Sequence, residues 1–502
     1  MKNQQAAGSA KCNTGIQGLD DVLNGGLPSG RFYLIQGAPG SGKTTLALQF
    51  LRESVRKGER ALYVSLSETL DEIQEVAGSH GWSLEGVEIL ELSALEELLS
   101  AESGNTLFHP SEVELSETMN VLVDALDRVK PTRFVLDSLS ELALLSQTPL
   151  RYRREVLSLK QHLTKRDCTS MLLDDSSAEA TDALVQSLAH GIIFLEQTTL
   201  EYGAERRRLI VRKVRGTKYR GGYHDFTIKT GGLSVFPRLV AAEHHRRFAT
   251  GNVNSGVKGL DAILGGGLGR GTSNLFTGPP GSGKSTLALT YAVASAKRKE
   301  KVLLFTFDES LNVLFQRARG LNLGLGKFIK NGLIKAVKID PAEMSPGELA
   351  YNVKRAVDEE NVRFVYIDSL NGYLHAMGDD RFLNLQLHEL LTYLNQQGIV
   401  TILVLSPQGF IGQMQSPIDL TYLADTVLAL RFFEANGSVH KAISVIKKRT
   451  GAHEETIREL TLSPSGITVG PPLDKFRGVL TGVPLIAETI GEKGTRKRRH
   501  AD

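Results

Sequence analysis

The chain has 502 residues, of which 41% are hydrophobic and 23% charged, and its formal net charge is +3. Such values are ordinary for a globular protein with sizeable cores, and the length favours two or three domains. The net charge is too small to indicate a nucleic-acid or membrane partner. The longest apolar runs stay well short of a bilayer span, and the N-terminus lacks the apolar core of a signal peptide, so we predict no membrane association. Cys12 and Cys168 form no disulfide or metal-ligand pattern, which predicts a cytoplasmic protein.

The most informative feature of the chain is a long internal repeat. The heptapeptide TGIQGLD at 14–20 recurs as SGVKGLD at 255–261, and GAPGSGKTT at 37–45 recurs as GPPGSGKST at 278–286. Both pairs are offset by 241 positions (14 to 255 and 37 to 278), which is too long for a solenoid repeat and indicates a duplicated domain. We predict a first domain over 1–240, a linker over 241–252, a second domain over 253–480 and a disordered basic tail over 481–502.

Each copy alternates short apolar runs with helical patterns, which is typical of a parallel sheet flanked by helices. In the first copy the pattern predicts strands at 32–35, 61–66 and 134–137, with a helix over 44–55 after the first strand. In the second copy it predicts strands at 302–307 and 364–368. The expected fold class is α/β, with two tandem domains that are each built on a mostly parallel sheet.

A glycine-rich loop follows the first of these strands in each copy. Both loops match G-x-x-x-x-G-K-[ST] between a strand and a helix, which is the P-loop context. Glycines allow successive backbone N–H groups to cradle phosphate oxygens, the lysine reaches the β- and γ-phosphates, and the hydroxyl of the last residue coordinates Mg²⁺. The predicted ATP-binding residues are Gly37, Gly40, Ser41, Gly42, Lys43, Thr44 and Thr45, and then Gly278, Gly281, Ser282, Gly283, Lys284, Ser285 and Thr286.

Carboxylates end two further strands of each copy. Asp137 and Asp368 each close an apolar strand, where a carboxylate can hold Mg²⁺ together with Thr44 or Ser285, the Walker-B role. A second acidic position follows the strand after each P-loop. Because the carboxyl ends of these strands should face the nucleotide, we predict catalytic roles in orienting or deprotonating the attacking group for Glu68, Asp308 and Glu309.

Taken together, these motifs resemble KaiC, the ATPase of the circadian clock family. The leader [TS]-G-[IV]-x-G-L-D, the GGL-x-x-G turn and the post-strand acidic residues carry the resemblance, which covers about residues 14 to 484. It implies two fused RecA-like domains, ATP and Mg²⁺ as cofactors, and other Kai-type or histidine-kinase signalling proteins as partners. In KaiC-like proteins a Lys-x-Arg element near the end of each domain reaches the neighbour's ATP, which implies a hexameric ring. The resemblance assigns this role in trans to Lys213, Arg215, Lys447 and Arg449.

The chain departs from the family pattern at two places. The family's acidic pair is usually Glu-Glu, whereas the first copy has Ser67 before its glutamate, so its hydrolysis could be slow or altered. The family's autophosphorylation site is a Ser-Thr pair before an Asp-Thr in the second domain, and here Thr421 and Tyr422 occupy those places. Thr421 keeps a short hydroxyl that could accept a phosphoryl group, whereas Tyr422 would need a differently shaped site.

Three functions remain open at this point. The first, which the repeat and the Lys-x-Arg elements favour, is a KaiC-like ATPase whose second domain is also a serine/threonine autokinase. The second is a DNA-acting motor of the recombinase or hexameric helicase type, which would use Arg151, Arg153, Arg154 and the basic tail. A DNA motor normally shows a stronger basic channel than this sequence does. The third is a signalling scaffold that binds ATP mainly to assemble.

Overall fold

A computed structural model describes residues 10–92, 110–146, 148–175, 182–375, 380–407, 421–435, 437–464, 466–480 and 485–486. The chain forms two units, of which unit 1 comprises 1–238 with 345–351, and unit 2 comprises 239–344 with 352–502. The predicted linker, 241–252, falls at the beginning of unit 2 and contains a short 3-10 helix, Ala241–Glu243.

In the first repeat the structure contains both the strand and the helix that the sequence predicts on either side of the P-loop. The strands are β1 (Lys11–Cys12), β2 (Leu27–Pro28), β3 (Phe32–Gly37), β4 (Ala61–Ser65), β5 (Val87–Glu91), β6 (Arg133–Asp137), β7 (Thr169–Asp175), β8 (Gly191–Thr198), β9 (Arg206–Val214), β10 (Tyr223–Lys229) and β11 (Gly232–Phe236). The helices are α1 (Leu19–Val22), α2 (Lys43–Arg56), α3 (Leu70–Ser79), α4 (Pro110–Val129), α5 (Leu139–Leu145), α6 (Pro149–Lys165) and α7 (Asp182–Leu188).

The elements of the second repeat follow the same order. The strands are β12 (Asn252–Val253), β13 (Leu268–Gly269), β14 (Ser273–Thr277), β15 (Lys301–Thr306), β16 (Ile334–Lys338), β17 (Val362–Asp368), β18 (Val400–Leu405), β19 (Thr426–Ala435), β20 (Ser438–Lys448), β21 (Arg458–Ser463), β22 (Gly466–Pro472), β23 (Phe476–Arg477) and β24 (Leu485–Ile486). The helices are α8 (Lys258–Ile263), α9 (Lys284–Lys297), α10 (Leu311–Gly320), α11 (Leu325–Lys330), α12 (Pro346–Asp358), α13 (Leu370–His375) and α14 (Asp380–Gln396).

Each repeat is built on one large sheet. The strand order is β11-β10-β9-β8-β3-β7-β6-β4-β5 in the first and β22-β21-β20-β19-β14-β18-β17-β15-β16 in the second. In both sheets the six strands from β8 to β5, or from β19 to β16, are parallel. The other three strands extend the sheet antiparallel. The prediction of two tandem RecA-like α/β domains with mostly parallel sheets is confirmed.

Apolar residues cover both faces of the parallel strands, which explains why these strands are continuous apolar runs in the sequence. Alternate residues of β3 point to opposite faces, so that Tyr33 and Ile35 pack in one buried cluster with Phe50 of α2. Phe32 and Leu34 pack in another buried cluster on the other face. This sandwich of helices fixes the ends of the central strands, where the predicted site residues lie.

The topology brings the carboxyl ends of three strands to one edge of each sheet. In the first sheet β7 lies between the P-loop strand β3 and β6, so that Gly37, Asp175 and Asp137 end neighbouring strands. In the second sheet β18 lies between β14 and β17 in the same way. Ligands of open α/β sheets bind at such an edge, so the fold alone collects the predicted site residues there.

The C-terminal prediction is covered only in small part. Within 481–502 the structure describes Leu485–Ile486, which pair antiparallel with Phe476–Arg477, and the rest of the predicted tail lies outside the described residues. Among the described helices, none combines the length and the apolar character that crossing a bilayer requires. Cys12 and Cys168 are free thiols.

Candidate functional site

The P-loop geometry depends on glycines that no other residue could replace without strain. Gly42, which precedes α2, has a φ of 100°, and a Cβ there would lie 2.5 Å from Ile228 Cδ1. Gly283, which precedes α9, has a φ of 106°, and its Cβ would lie 2.6 Å from Leu462 Cδ1. Both residues combine a left-handed backbone with a close approach of an antiparallel strand, which favours glycine strongly.

The two P-loop lysines fold back over their own loops. The Lys43 ammonium donates to the carbonyls of Gly37 (2.8 Å) and Ala38 (3.1 Å). The Lys284 ammonium likewise donates to the carbonyls of Gly278 (2.8 Å) and Pro279 (2.9 Å). Burial lowers the pKa of Lys284 to about 8, although the charge of Asp368 acts in the opposite direction.

Other P-loop residues are arranged as a ligand cradle would require. The hydroxyls of Ser41 and Ser282 are buried, and neither finds a hydrogen-bond partner within the described part of the chain. Buried hydroxyls are rarely left in this state, so these groups fit a ligand with acceptor oxygens. The remaining predicted positions line the same loops or begin the helices, with positive φ at Gly40 (78°) and Gly281 (79°) and buried side chains at Thr45 and Thr286.

The first Walker-B carboxylate and the first P-loop hydroxyl are in direct contact. The Thr44 hydroxyl donates to Asp137 at 3.0 Å, and the Tyr63 hydroxyl donates to the same carboxylate oxygen at 2.7 Å. Asp137 is 7% exposed, and burial raises its pKa although both hydrogen bonds lower it. A hydroxyl and a carboxylate brought together beside a P-loop are the ligand types that Mg²⁺ takes, so these residues fit the ion.

The second Walker-B carboxylate also has a tyrosine partner, which here lies on the strand of the aspartate itself and not on the neighbouring strand as in the first repeat. Tyr366, two residues before Asp368 on β17, donates its hydroxyl to that carboxylate and lies 3.5 Å from the Ser285 carbonyl. In the first sheet Tyr63 of β4 pairs with Val135 of β6, and in the second Leu304 pairs with Tyr366. The tyrosine has therefore changed places with its cross-strand neighbour between the repeats, while the contact to the aspartate is kept.

The predicted catalytic carboxylates differ between the repeats. Glu68 follows β4 in a turn fixed by Ser65, whose hydroxyl accepts from the Glu68 N–H at 2.9 Å. One of its carboxylate oxygens is buried and without a hydrogen bond among the described residues, and burial, followed by the nearby Asp137 charge, raises its pKa. In the second repeat Asp308 accepts from Ser369, which immediately follows the Walker-B aspartate.

Glu309 occupies the position of Glu68 but has a basic partner. Arg317 of α10 lies 2.7 Å from its carboxylate, an ion pair without hydrogen-bond geometry. Burial raises the pKa of Glu309, and the arginine opposes that effect. The first repeat has Val76 at the place of Arg317, so this restraint on the acid belongs to the second repeat alone.

The Lys-x-Arg elements make matching contacts in the two repeats. Lys213 donates to the carbonyl of Gln186 (2.8 Å), and Arg215 donates to that of Ser187 (2.8 Å). Gly191 and Thr426 are equivalent, because they pair with equivalent residues of the two P-loop strands. Counted back from these two residues, Gln186 and Ser187 correspond to Thr421 and Tyr422. Lys447 donates to the Thr421 carbonyl (2.8 Å) and Arg449 to the Tyr422 carbonyl (3.0 Å).

The phosphorylation candidates begin a described segment at the surface of unit 2. Thr421 and Tyr422 are both exposed, the latter by 55%, and they lie in the turn before β19, which begins at Thr426. Arg449 also pairs with Asp425 at 3.4 Å, so this segment is held at its backbone and at one carboxylate. The residues 408–420, just before it, lie outside the described part of the chain.

Four residues of the site lie outside the sequence prediction. The tyrosines and Arg317 carry no recognisable motif, and their roles depend on cross-strand register and on the packing of α10. The fourth is Asp175, whose carboxylate lies 2.7 Å from the Lys43 ammonium. Its signal in the sequence is the pair Asp174-Asp175 at the end of an apolar strand.

The comparisons with known proteins agree with this geometry. A family model described as the KaiC ATPase matches residues 12–240 and again 253–474. The circadian clock oscillator protein KaiC of Prochlorococcus marinus (strain MIT 9313) is 27% identical over an alignment of 495 positions that covers 96% of this chain and 98% of that protein. The circadian clock protein KaiC2 of Synechocystis sp. (strain ATCC 27184 / PCC 6803 / Kazusa) is 28% identical over an alignment of 506 positions that covers 99% of this chain and 88% of that protein. The chain belongs to the KaiC family of ATPases.

Proposed function

We propose that both P-loops bind Mg²⁺-ATP, that the chain hydrolyses it, and that the second domain also transfers the γ-phosphoryl group to Thr421. The observation that carries the nucleotide sites is the convergence of Lys43, Thr44 and Asp137 at one sheet edge, with a hydroxyl-to-carboxylate distance of 3.0 Å. A cytoplasmic location is part of the proposal, and the two free thiols support it.

The residues would divide the work as follows. Lys43 and Lys284 would neutralise phosphate charge, and the Walker-B aspartates with Thr44 and Ser285 would hold Mg²⁺, which when bound withdraws charge from the β- and γ-phosphates. Glu68 would take the proton of the attacking water, because its buried oxygen has no hydrogen-bond partner among the described residues and burial raises its pKa.

The kinase step would place a new bond between the Thr421 oxygen and the γ-phosphorus while the bond from that phosphorus to the bridging oxygen of ADP breaks. The hydroxyl proton would pass to Asp308 or Glu309. The exposure of Thr421 supports this role, since an acceptor must be reachable from another site. Tyr422 is the alternative acceptor, but its phenol extends farther from the backbone, so we expect one main phosphosite.

Assembly completes the proposal. Lys213, Arg215, Lys447 and Arg449 would serve the nucleotide of a neighbouring copy, which requires a homo-oligomer, and the family implies a hexameric ring. The equal contacts of these cations in both repeats support a shared role. Other Kai-type or histidine-kinase signalling proteins are the partners that we propose to respond to the nucleotide state.

Purified protein incubated with γ-labelled ATP tests the proposal when released phosphate and protein-bound label are scored separately. Wild type should give both, and Lys43→Ala combined with Lys284→Ala should give neither, because both phosphate sites lose their cation. Thr421→Ala should lose the bound label and keep phosphate release, whereas the matched variant Tyr422→Phe should keep both.

Two outcomes would contradict the parts separately. Bound label that persists in Thr421→Ala would remove the kinase assignment and leave the ATPase standing. Absence of phosphate release from wild type, with nucleotide still bound at both sites, would favour the scaffold that uses ATP only to assemble.

A further inference from the structure

The first P-loop lysine forms an ion pair with a carboxylate that is not part of the P-loop motif. Asp175, the last residue of β7, lies 2.7 Å from the Lys43 ammonium, and the lysine side chain is only 8% exposed. This is the ammonium that contacts the β- and γ-phosphates in a P-loop. An internal anion therefore lies on the group that a nucleotide phosphate would need.

The position of Asp175 is fixed from two sides. Its N–H donates to the Ser140 hydroxyl at 3.0 Å, and the neighbouring Asp174 carboxylate, which is 6% exposed, accepts from the Gln36 amide at 3.0 Å. Gln36 in turn accepts from the Gln186 amide at 3.1 Å. These contacts fix the backbone at the end of β7 and so keep the Asp175 side chain, which is 31% exposed, within reach of the lysine.

The strand order indicates which phosphate the carboxylate opposes. A γ-phosphate would lie between Lys43 of the P-loop and a magnesium ion held by Thr44 and Asp137. β7 lies between β3, which leads into the P-loop, and β6, which ends at Asp137. Asp175 is the last residue of β7 and therefore lies at the part of the sheet edge where the γ-phosphate would bind. Two like charges a few ångströms apart repel, and ADP lacks the phosphate that would meet this repulsion.

The second repeat has no such carboxylate. The register pairs Gln36 with Asp174 and the equivalent Thr277 with Leu405, so Ser406 occupies the place of Asp175. Within the described residues no carboxylate lies within ion-pair distance of Lys284. At the position beside the P-loop lysine, the two nucleotide sites of one chain therefore differ by one negative charge.

We propose that Asp175 determines the nucleotide preference of the first site, where its carboxylate competes with the γ-phosphate for Lys43 and so favours ADP over ATP. The second site, with Ser406 in the same place, lacks this discrimination. The inference rests on the proposed function, since it takes the first P-loop to be a nucleotide site.

Calorimetry on the full-length chain in Mg²⁺ tests the assignment, with ADP and the hydrolysis-resistant analogue AMP-PNP as probes. Lys284→Ala isolates the first site, and Asp175→Asn then removes the charge while it keeps the shape and an acceptor for Lys43. We expect the affinity for AMP-PNP to rise about tenfold, the effect of one partly screened like charge, and the affinity for ADP to change much less.

The reciprocal exchange provides the matched control in the other domain. With Lys43→Ala to isolate the second site, Ser406→Asp should weaken AMP-PNP about tenfold, whereas Ser406→Asn, of the same size but neutral, should leave it nearly unchanged. A purely structural role of Asp175 would alter both nucleotides alike and would give no effect of charge at Ser406.

The outcomes separate the inference from the proposed function. Equal shifts for ADP and AMP-PNP in Asp175→Asn, with the first site still binding, would overturn the inference alone. Binding that appears in the Lys284→Ala background only when Asp175 is replaced would support it strongly. Absence of binding in that background with and without Asp175→Asn would overturn both the first nucleotide site and the inference.

Discussion

The two P-loop lysines make the same pair of hydrogen bonds to their own loops but lie in different electrostatic surroundings. Lys43 has the carboxylate of Asp175 at 2.7 Å, whereas Lys284 is 4% exposed and its pKa is lowered to about 8 by burial. A buried ammonium without a close anion is poised to gain from a phosphate, because a negative ligand would restore its charge.

This difference predicts a pH dependence of ATP binding at the second site. Below pH 8 Lys284 is already protonated, so ATP binding draws no proton from solution for this lysine. Above pH 8 the neutral lysine must first be protonated. We therefore expect the affinity for ATP to fall as the pH rises from 7 to 9, by at most about tenfold per pH unit. Calorimetry of a Lys43→Ala chain in two buffers of different ionisation enthalpy measures the proton uptake directly.

The control for this prediction is Lys284→Arg, because a guanidinium keeps its charge throughout this pH range. The arginine variant should show neither proton uptake nor loss of affinity from this source. If the Lys43→Ala chain, which keeps Lys284, binds ATP with constant affinity between pH 7 and 9, the lysine is charged throughout this range and the prediction is wrong.

At the scale of the strands, the Walker-B aspartate is supported by a tyrosine that has two possible positions. β4 supplies Tyr63 in the first repeat, and β17 supplies Tyr366 in the second, at directly paired cross-strand positions. The contact is therefore a requirement of the buried carboxylate and not of one particular residue position. A buried carboxylate oxygen that lost one of its hydrogen-bond donors would be less well stabilised.

Tyr63→Phe should accordingly destabilise the first domain by about 1.5–3 kcal/mol, the usual contribution of a hydrogen bond to a charged group. Urea unfolding followed by tryptophan fluorescence measures this change selectively, since Trp82, in the first repeat, is the single tryptophan of the chain. The Tyr63→Phe change isolates this hydrogen bond, because phenylalanine fills the same space and removes only the hydroxyl that donates to Asp137 at 2.7 Å.

The internal repeat also offers a rescue. Tyr63→Leu combined with Val135→Tyr reproduces the arrangement of the second domain and should recover most of the lost free energy of unfolding. A double variant as unstable as Tyr63→Leu alone would show that the tyrosine position is fixed by packing and not by its hydrogen bond to the aspartate.

At the scale of the whole molecule, the Lys-x-Arg elements are the residues through which copies of the chain would cooperate. In the single chain their side chains bind the carbonyls of the segments before β8 and β19, and Arg449 remains 53% exposed. In the proposed ring, a half-exposed cation at this place would be available to the phosphate of a neighbouring copy.

Mixing two inactive chains tests this arrangement. In a Lys43→Ala background, a Lys284→Ala chain lacks the second phosphate site and an Arg449→Ala chain lacks the cation. If the arginine acts in trans, the equal mixture should recover hydrolysis at about a quarter of the second-domain sites, because random assembly pairs an intact P-loop with an intact arginine at that frequency. Phosphate release from the mixture and from each chain alone is the measurement.

Light scattering in Mg²⁺-ATP provides the companion observation. A mixture that forms rings but stays as inactive as its components would place the arginine in cis. A species of 54.8 kDa only, in the presence of ATP, would contradict the ring itself.

Features that lie within short stretches of chain could be predicted from the sequence. The P-loops, the aspartates at the ends of β6 and β17, and the duplication were all predictable, because a glycine-rich turn or a strand-terminal carboxylate has its chemical meaning from its immediate neighbours. The parallel sheets were predictable for the same reason, since burial on both faces makes each strand a continuous apolar run.

Contacts between residues far apart in the sequence depend on the fold and could not be predicted from local motifs. Lys43 and Asp175 are 132 positions apart and meet because β7 lies beside β3. Tyr63 and Asp137 are 74 positions apart and meet through the register of β4 with β6. These contacts make the two copies of one motif chemically unequal, and no local pattern encodes them, because strand order and register are properties of the whole sheet.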